Sequence, residues 1–235
     1  MKENFEIRAA ARESLSGRWT TFVLTTLIFS IIVGAIDVIS NFPAIRSGMY
    51  WSTVYHTSSS FYSVIGLLVS IFVLLPLSYG FALIFLRLVR NDDTLDPVTG
   101  LFYGFNDYGR AIAIQLLVGI YTFLWSLLLI IPGIIKAYSY SMSVFISYDN
   151  PELSTDDCIN KSMAMMEGHK FDLFLLDLSF IGWGILALFT CGIGFLWLVP
   201  YIQTSHAVFY EELKLQETAQ FAGTESRLGQ FAKFE

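Results

Sequence analysis

Four stretches of the chain carry no Asp, Glu, Lys or Arg: 19–36, 47–86, 111–135 and 178–210. They are 18, 40, 25 and 33 residues long. Between them, charged and polar residues cluster in short segments. Because one helix needs about 20 apolar residues to cross the hydrocarbon core of a bilayer, the pattern predicts an integral membrane protein with several spans.

Helix length indicates that the later apolar stretches fold back on themselves. At 1.5 Å rise per residue, a continuous helix over 111–148 would be about 57 Å long and one over 171–210 about 60 Å, roughly twice the 30 Å core. The suitable helix breakers are Pro132-Gly133 and Gly192 to Gly194. We therefore expect an all-α integral membrane fold of three helical hairpins with six transmembrane spans at about 19–39, 61–88, 111–131, 134–148, 171–190 and 194–210.

The distribution of basic residues tests this arrangement. With the N-terminus in the cytoplasm, six spans place twelve of the fourteen Lys and Arg residues on the cytoplasmic side and leave Arg46 and Lys136 outside. Five spans, with 111–148 crossing once, give seven inside and six outside, with Lys136 in lipid. The positive-inside rule therefore favours six spans with both termini in the cytoplasm.

Short amphipathic helices are predicted next to the spans. In 154–168, Ser154 is a candidate N-cap and Gly168 a candidate terminator. Its apolar face suits a helix on the membrane surface or one packed under the bundle, and the N-terminal segment has a similar face. The face in 154–168 comprises Ile159, Met163 and Met166. The N-terminal face comprises Ile7, Ala11, Leu15 and Trp19. Residues 1–212 are predicted to form one transmembrane domain, and 213–235, which lack a clean period, a mobile cytoplasmic tail.

A weak repeat accompanies the three hairpins. Each hairpin begins near a glycine and a basic residue, and each returning helix carries a tyrosine early in its sequence. The tyrosines are Tyr79, Tyr138 and Tyr201. Threefold repetition of one hairpin unit is one explanation, and the general enrichment of such residues at membrane entries is the other.

Polar side chains within the spans are the candidate functional residues. Asp177 lies seven residues past Lys170, about 10 Å along the helix. His206 lies five residues before Glu211, at a similar depth on the adjacent span. Since an intramembrane charge is costly, we expect a polar cluster that serves as a proton-coupled or headgroup site, or as hydrogen-bonded contacts between hairpins. The predicted members are Asp177, His206, Gln203, Gln115 and Tyr210.

Small residues form a second pattern on the first two spans, which suits close helix packing or dimerisation. They are Thr26, Ser30 and Gly34 on the first span, and Gly66 and Ser70 on the second.

Composition narrows the function classes. The net charge of -6 disfavours a nucleic-acid partner of the usual basic kind. No catalytic, metal-ligand or phosphate-loop motif is present, so we expect no enzyme, no metal and no cofactor. The expected partners are membrane lipids, and a second copy of the chain or another membrane protein.

Several motifs resemble those of a known family. They are Ile131–Met142, Asp149–Ser154, Met166–Lys170 and Leu178–Trp183. They resemble a bacterial family of multipass membrane proteins catalogued as domain of unknown function 975. The resemblance implies a location in the bacterial cytoplasmic membrane, and it carries no activity. More loosely, the hairpins resemble the membrane domain of some glycerophosphodiester phosphodiesterases, whose catalytic domain has no counterpart here.

These observations favour a non-enzymatic protein of the bacterial cytoplasmic membrane that binds lipids or amphiphiles, or acts as a scaffold in the cell envelope. The alternative is a small oligomeric transporter or channel that uses the cluster around Asp177 and His206.

Overall fold

Helices build the part of the chain that the computed structural model describes, namely residues 3–47, 64, 66–92 and 96–231, and this part contains no strand. The helices are α1 (Asn4–Leu15), α2 (Trp19–Ser47), α3 (Leu75–Val89), α4 (Pro97–Gly100), α5 (Tyr108–Leu128), α6 (Ile130–Tyr140), α7 (Ser143–Asp149), α8 (Thr155–Met165), α9 (Lys170–Leu178), α10 (Ile181–Phe189) and α11 (Phe195–Phe231). A π-helical segment (Ser70–Leu74) precedes α3, and a 3-10 segment (Leu101–Phe105) follows α4. The prediction of an all-helical fold is confirmed.

Among the described residues, four helical segments are long and apolar enough to cross a membrane, which indicates a membrane protein. They are Trp19–Val38, Gly66–Val89, Tyr108–Leu128 and Lys170–Phe189, and they lie at the predicted first, second, third and fifth spans. The predicted fourth span, 134–148, is divided between the shorter helices α6 and α7. The predicted sixth span lies within α11.

The two amphipathic helices form where the sequence predicts them. Ile7, Ala11 and Leu15 of α1 are completely buried, and α1 packs mainly against α11. At the start of α8, the Ser154 hydroxyl accepts a hydrogen bond from the Asp157 amide at 3.2 Å. Gly168 follows with a φ of 82°, a left-handed conformation that favours glycine at a helix end. A buried apolar face therefore explains the position of α1, and local capping explains where α8 begins and ends.

The reversal between α5 and α6 lies at Leu129 instead of at Pro132-Gly133. Leu129 has extended backbone angles of φ −159° and ψ 143°, whereas Pro132 is the third residue of α6. Proline is tolerated there because the first turn of a helix has no intrahelical acceptors for its N–H groups. A Cβ on Gly133 would overlap Ser126, so glycine allows the two helices to approach closely.

The reversal between α10 and α11 contains the predicted glycines. Gly192 adopts a φ of 86°, and a Cβ on Gly194 would lie 2.8 Å from the Cα of Ala187. Gly192 is required for its backbone conformation, and Gly194 is required for close packing.

Beyond residue 212 the chain continues α11. Leu213 is buried, and the helix extends to Phe231. The predicted tail therefore begins with residues that still pack against the bundle.

Candidate functional site

Charged side chains at the ends of α3 and α7 and in the middle of α11 meet in one group. Arg90 directly follows α3, Asp149 ends α7, and Glu211 lies in α11. The Arg90 guanidinium donates two hydrogen bonds of 2.7 Å to the two carboxylate oxygens of Asp149, and its Nε donates a third of 2.7 Å to Glu211. Bidentate pairing of this kind fixes orientation as well as distance. We call Arg90, Asp149, Tyr210, Glu211 and Lys214 the charged hub.

Asp149 is the central acceptor of the charged hub. Two further groups donate hydrogen bonds to Asp149 Oδ2. They are the Lys214 ammonium at 2.7 Å and the Tyr210 hydroxyl at 2.9 Å. The Asp149 side chain is only 10% exposed. Burial alone would raise the pKa of Asp149, but the hydrogen bonds from Arg90, Lys214 and Tyr210 outweigh burial and lower that pKa to about 2. The carboxylate is therefore ionised at every physiological pH.

Two further arginines hold the chain beside the charged hub. Arg87 donates to the Tyr148 hydroxyl at 2.9 and 3.1 Å, and its guanidinium lies 4.9 Å from the ring centroid of Tyr103. Arg110 donates to the backbone carbonyls of Asn150 at 2.7 Å and Pro151 at 2.8 Å. These contacts join α3 to α7, and α5 to the α7–α8 loop.

Asp177 and His206 lie together, as the sequence suggests. His206 Nε2 is 2.6 Å from Asp177 Oδ1, and the Tyr138 hydroxyl donates to Asp177 Oδ2 at 3.0 Å. The three residues come from α9, α11 and α6, so each hydrogen bond joins two different helices. Tyr138 was not among the predicted members, although the repeat of early tyrosines contains it.

The other predicted members lie elsewhere. Gln115 donates to the Leu75 carbonyl at 2.6 Å and accepts from the Ser78 hydroxyl at 2.6 Å, which joins α5 to α3. Tyr210 belongs to the charged hub. Gln203 lies one turn before His206 and, among the described residues, makes no hydrogen bond to the pair. The cluster is therefore smaller than predicted, because Gln115 and Tyr210 bind other partners.

The small residues of the first two spans have different surroundings. Thr26 is buried and donates to the Phe22 carbonyl at 2.8 Å, whereas Ser30 and Gly34 are exposed. Gly66 is half-buried, and the side chain of Ser70 lies outside the described residues.

Each of the repeated tyrosines makes a polar contact with another helix. Tyr79 of α3 is 3.0 Å from the Ser147 hydroxyl of α7, and Tyr138 of α6 donates to Asp177 of α9. Tyr201 of α11 donates to the Arg8 carbonyl of α1 at 3.2 Å. The hub residues Arg90, Asp149 and Glu211 follow these tyrosines by 11, 11 and 10 residues, and that spacing is the sequence signal for the hub.

An apolar groove of about 450 Å³ lies between α10, α11 and the beginning of α2. Trp19, Trp183 and Trp197 form its aromatic walls, and Arg12 and Tyr201 also line it. Trp19 and Tyr201 have ring centroids 6.4 Å apart. Since Tyr201 is seven residues, or about 10 Å, along α11 from Gly194, the groove runs from a basic end at Arg12 toward the α10–α11 reversal.

The long apolar helices and their exposed aliphatic surface define the class of the molecule as a helical membrane protein. Within that class, the chain belongs to the family described as "Protein of unknown function (DUF975)", which matches residues 1–139 and 127–217. No curated protein and no solved structure matches the chain. The looser resemblance to membrane domains of glycerophosphodiester phosphodiesterases has no support from these comparisons.

Proposed function

We propose that the protein is a non-enzymatic lipid-binding protein of a bacterial cytoplasmic membrane. Its three hairpins enter the bilayer from one face, which keeps both termini on the cytoplasmic side. The observation that supports lipid binding is the groove lined by Trp19, Trp183 and Trp197, with Arg12 at one end. Its volume lies in the usual range of ligand sites in proteins.

The chemistry of the groove favours an acidic phospholipid. Apolar and aromatic walls suit an acyl chain, and a guanidinium suits a phosphate because it offers planar, paired donors. Arg12 lies on the exposed side of α1, whose opposite face is buried against the bundle. A lipid with its phosphate at Arg12 would direct one acyl chain along the tryptophans.

Quenching of tryptophan fluorescence by brominated lipids tests this proposal. In detergent micelles, brominated phosphatidylglycerol is expected to quench at roughly tenfold lower mole fraction than brominated phosphatidylcholine, the equivalent of about 1.4 kcal/mol. Arg12→Gln is expected to abolish the difference. Lys161→Gln, which removes a cation from α8, serves as the matched control and is expected to retain it. Equal quenching by both lipids in the unaltered protein would refute an acidic-lipid site.

A second candidate function is proton-coupled transport, and the contact between Asp177 and His206 supports it. A carboxylate and an imidazole joined by one hydrogen bond within a span are typical of proton pathways. Proteoliposome flux under a pH gradient tests this function. If the protein is a transporter, the unaltered protein shows flux and Asp177→Asn abolishes that flux. Asp172→Asn is the matched control, because Asp172 lies on the same helix and is 3.2 Å from His169, but its side chain is 45% exposed. Absence of flux in the unaltered protein would leave lipid binding as the supported function.

A further inference from the structure

We infer that the α5–α6 hairpin does not cross the membrane: it enters from the side on which α8 lies and ends inside the hydrocarbon core. This inference concerns a different surface from the tryptophan-lined groove and does not depend on lipid binding there. It replaces the third and fourth crossings of the six-span arrangement with a re-entrant hairpin, and it leaves both termini on the same side.

The tip of the hairpin is entirely aliphatic. The five consecutive residues at the reversal are each 64 to 75% exposed, namely Leu127, Leu128, Leu129, Ile130 and Ile131. Exposure of five large aliphatic side chains to water is strongly unfavourable, whereas acyl chains accommodate them. The α10–α11 reversal differs, because it contains Thr190, Cys191 and Gly192. The α5–α6 tip therefore suits lipid and not an external aqueous loop.

Lys136 shows from which side the hairpin enters. Its ammonium lies 3.7 Å from the Met163 sulfur on α8, 5.1 Å from the ring centroid of Trp125 and 5.9 Å from that of Tyr140. Tyr140 is one helical turn farther from the tip than Lys136. The ammonium is therefore directed toward α8. On the other leg, Tyr121 donates to Asp156 of α8 at 3.1 Å.

The outer face of α8 marks the edge of the hydrocarbon core. Asp156, Asp157 and Asn160 are exposed on that face. A charged residue at the bilayer centre costs about 2.5 to 3.5 kcal/mol on insertion scales, so this face belongs in the headgroup region or in water. The side chains of Lys136 and Tyr121 extend from the hydrocarbon core toward that boundary, as snorkelling side chains do.

The part of the hairpin between this boundary and the tip is too short to cross the hydrocarbon core. Leu129 lies seven residues from Lys136 and eight from Tyr121, which corresponds to about 10 and 12 Å of helix. Adding roughly 6 Å for the reach of a snorkelling lysine places the tip about 16 Å below the boundary. This depth is about half of the 30 Å hydrocarbon core.

The backbone at the reversal is suited to an apolar environment. The Leu129 amide donates to the Trp125 carbonyl at 3.1 Å, and the Gly133 amide donates to the Leu129 carbonyl at 3.2 Å. Pro132 has no N–H group to satisfy. Non-helical backbone in a membrane is tolerated only where its polar groups find partners, and a one-residue break minimises that need.

Cysteine accessibility tests the inference in intact cells and in inverted vesicles. Leu129→Cys in a Cys158→Ala/Cys191→Ala background is expected to resist a membrane-impermeant maleimide from both sides and to react after denaturing solubilisation. Native Cys191, exposed at the α10–α11 reversal, is the control and is expected to react from outside in a Cys158→Ala background. Labelling of Leu129→Cys from outside at a rate comparable to Cys191 would overturn the inference.

Depth-dependent fluorescence gives a second, independent measurement at the tip. With Leu128→Trp as the sole tryptophan, lipids brominated near the ends of their acyl chains are expected to quench more strongly than lipids brominated near the headgroup. A complete crossing would place residue 128 near the far headgroups. Stronger quenching by the shallow probe would therefore contradict a re-entrant hairpin. Size-exclusion profiles matching the unaltered protein establish that each variant is folded.

Discussion

At the scale of single residues, Asp149 is the shared acceptor of the charged hub. It accepts hydrogen bonds from Arg90, Lys214 and Tyr210, and Arg90 also binds Glu211. A carboxylate with little exposure is stable only because each desolvated lone pair has a partner. Loss of its charge would leave Lys214 without its carboxylate partner in the charged hub.

Asp149→Asn is expected to lower the free energy of unfolding by about 2 kcal/mol at pH 7, because the folded-state pKa lies nearly two units below the unfolded one. The folded-state pKa of about 2 lies below the usual 3.8. The stabilisation is therefore complete above about pH 4 and is lost as the pH falls toward 2. Unfolding in detergent micelles at pH 7, 4 and 3 measures both effects.

Glu152→Gln is the control for that substitution, since Glu152 is an exposed carboxylate three residues further along the chain. It is expected to change the free energy of unfolding by less than about 0.5 kcal/mol. A stability difference between Asp149→Asn and the unaltered protein that stays constant down to pH 3 would contradict the assigned role of Asp149.

At the scale of elements, glycines determine how closely helices approach. A Cβ on Gly80 of α3 would overlap the Leu101 carbonyl, and one on Gly104 would overlap the Pro76 carbonyl. The 3-10 segment therefore lies directly on the backbone of α3. The obstructing atoms belong to the main chain, so they have little freedom to move aside.

Gly80→Ala is expected to destabilise the protein by about 1 to 3 kcal/mol through this overlap, despite the better helix propensity of alanine. Gly119→Ala in α5 is the matched control: its Cβ would meet no atom within 4 Å, so it is expected to be neutral or stabilising by up to about 1 kcal/mol. Thermal unfolding in detergent compares the two. Equal stability of both variants would show that α3 and the 3-10 segment separate at little cost.

At the scale of the whole molecule, three tyrosines and the charged hub join distant helices at two levels. Tyr79, Tyr138 and Tyr201 contact α7, α9 and α1, and the hub residues Arg90, Asp149 and Glu211 follow these tyrosines by 10 or 11 residues. This spacing agrees with the weak repeat in the sequence. Interhelical hydrogen bonds of this type are one means by which membrane helices associate.

Local patterns predicted much of this molecule. Apolar stretches indicated the helical membrane class, and periodicity with capping residues predicted α1 and α8. The pairing of Asp177 with His206 followed from counting residues on adjacent antiparallel helices. The position of the α5–α6 reversal could not be predicted from the sequence, because Pro132 is equally compatible with a turn and with the first turn of a helix.

The sequence by itself determined which segments are helical, which of their faces are apolar and how long each apolar stretch is, since these depend on neighbours within a few residues. Only the tertiary structure decided that Arg90 meets Asp149 and Glu211, which are 59 and 121 residues away. It likewise decided that Lys136 is directed toward α8. Such contacts depend on how helices rotate and cross, and this is set by the packing of the whole bundle.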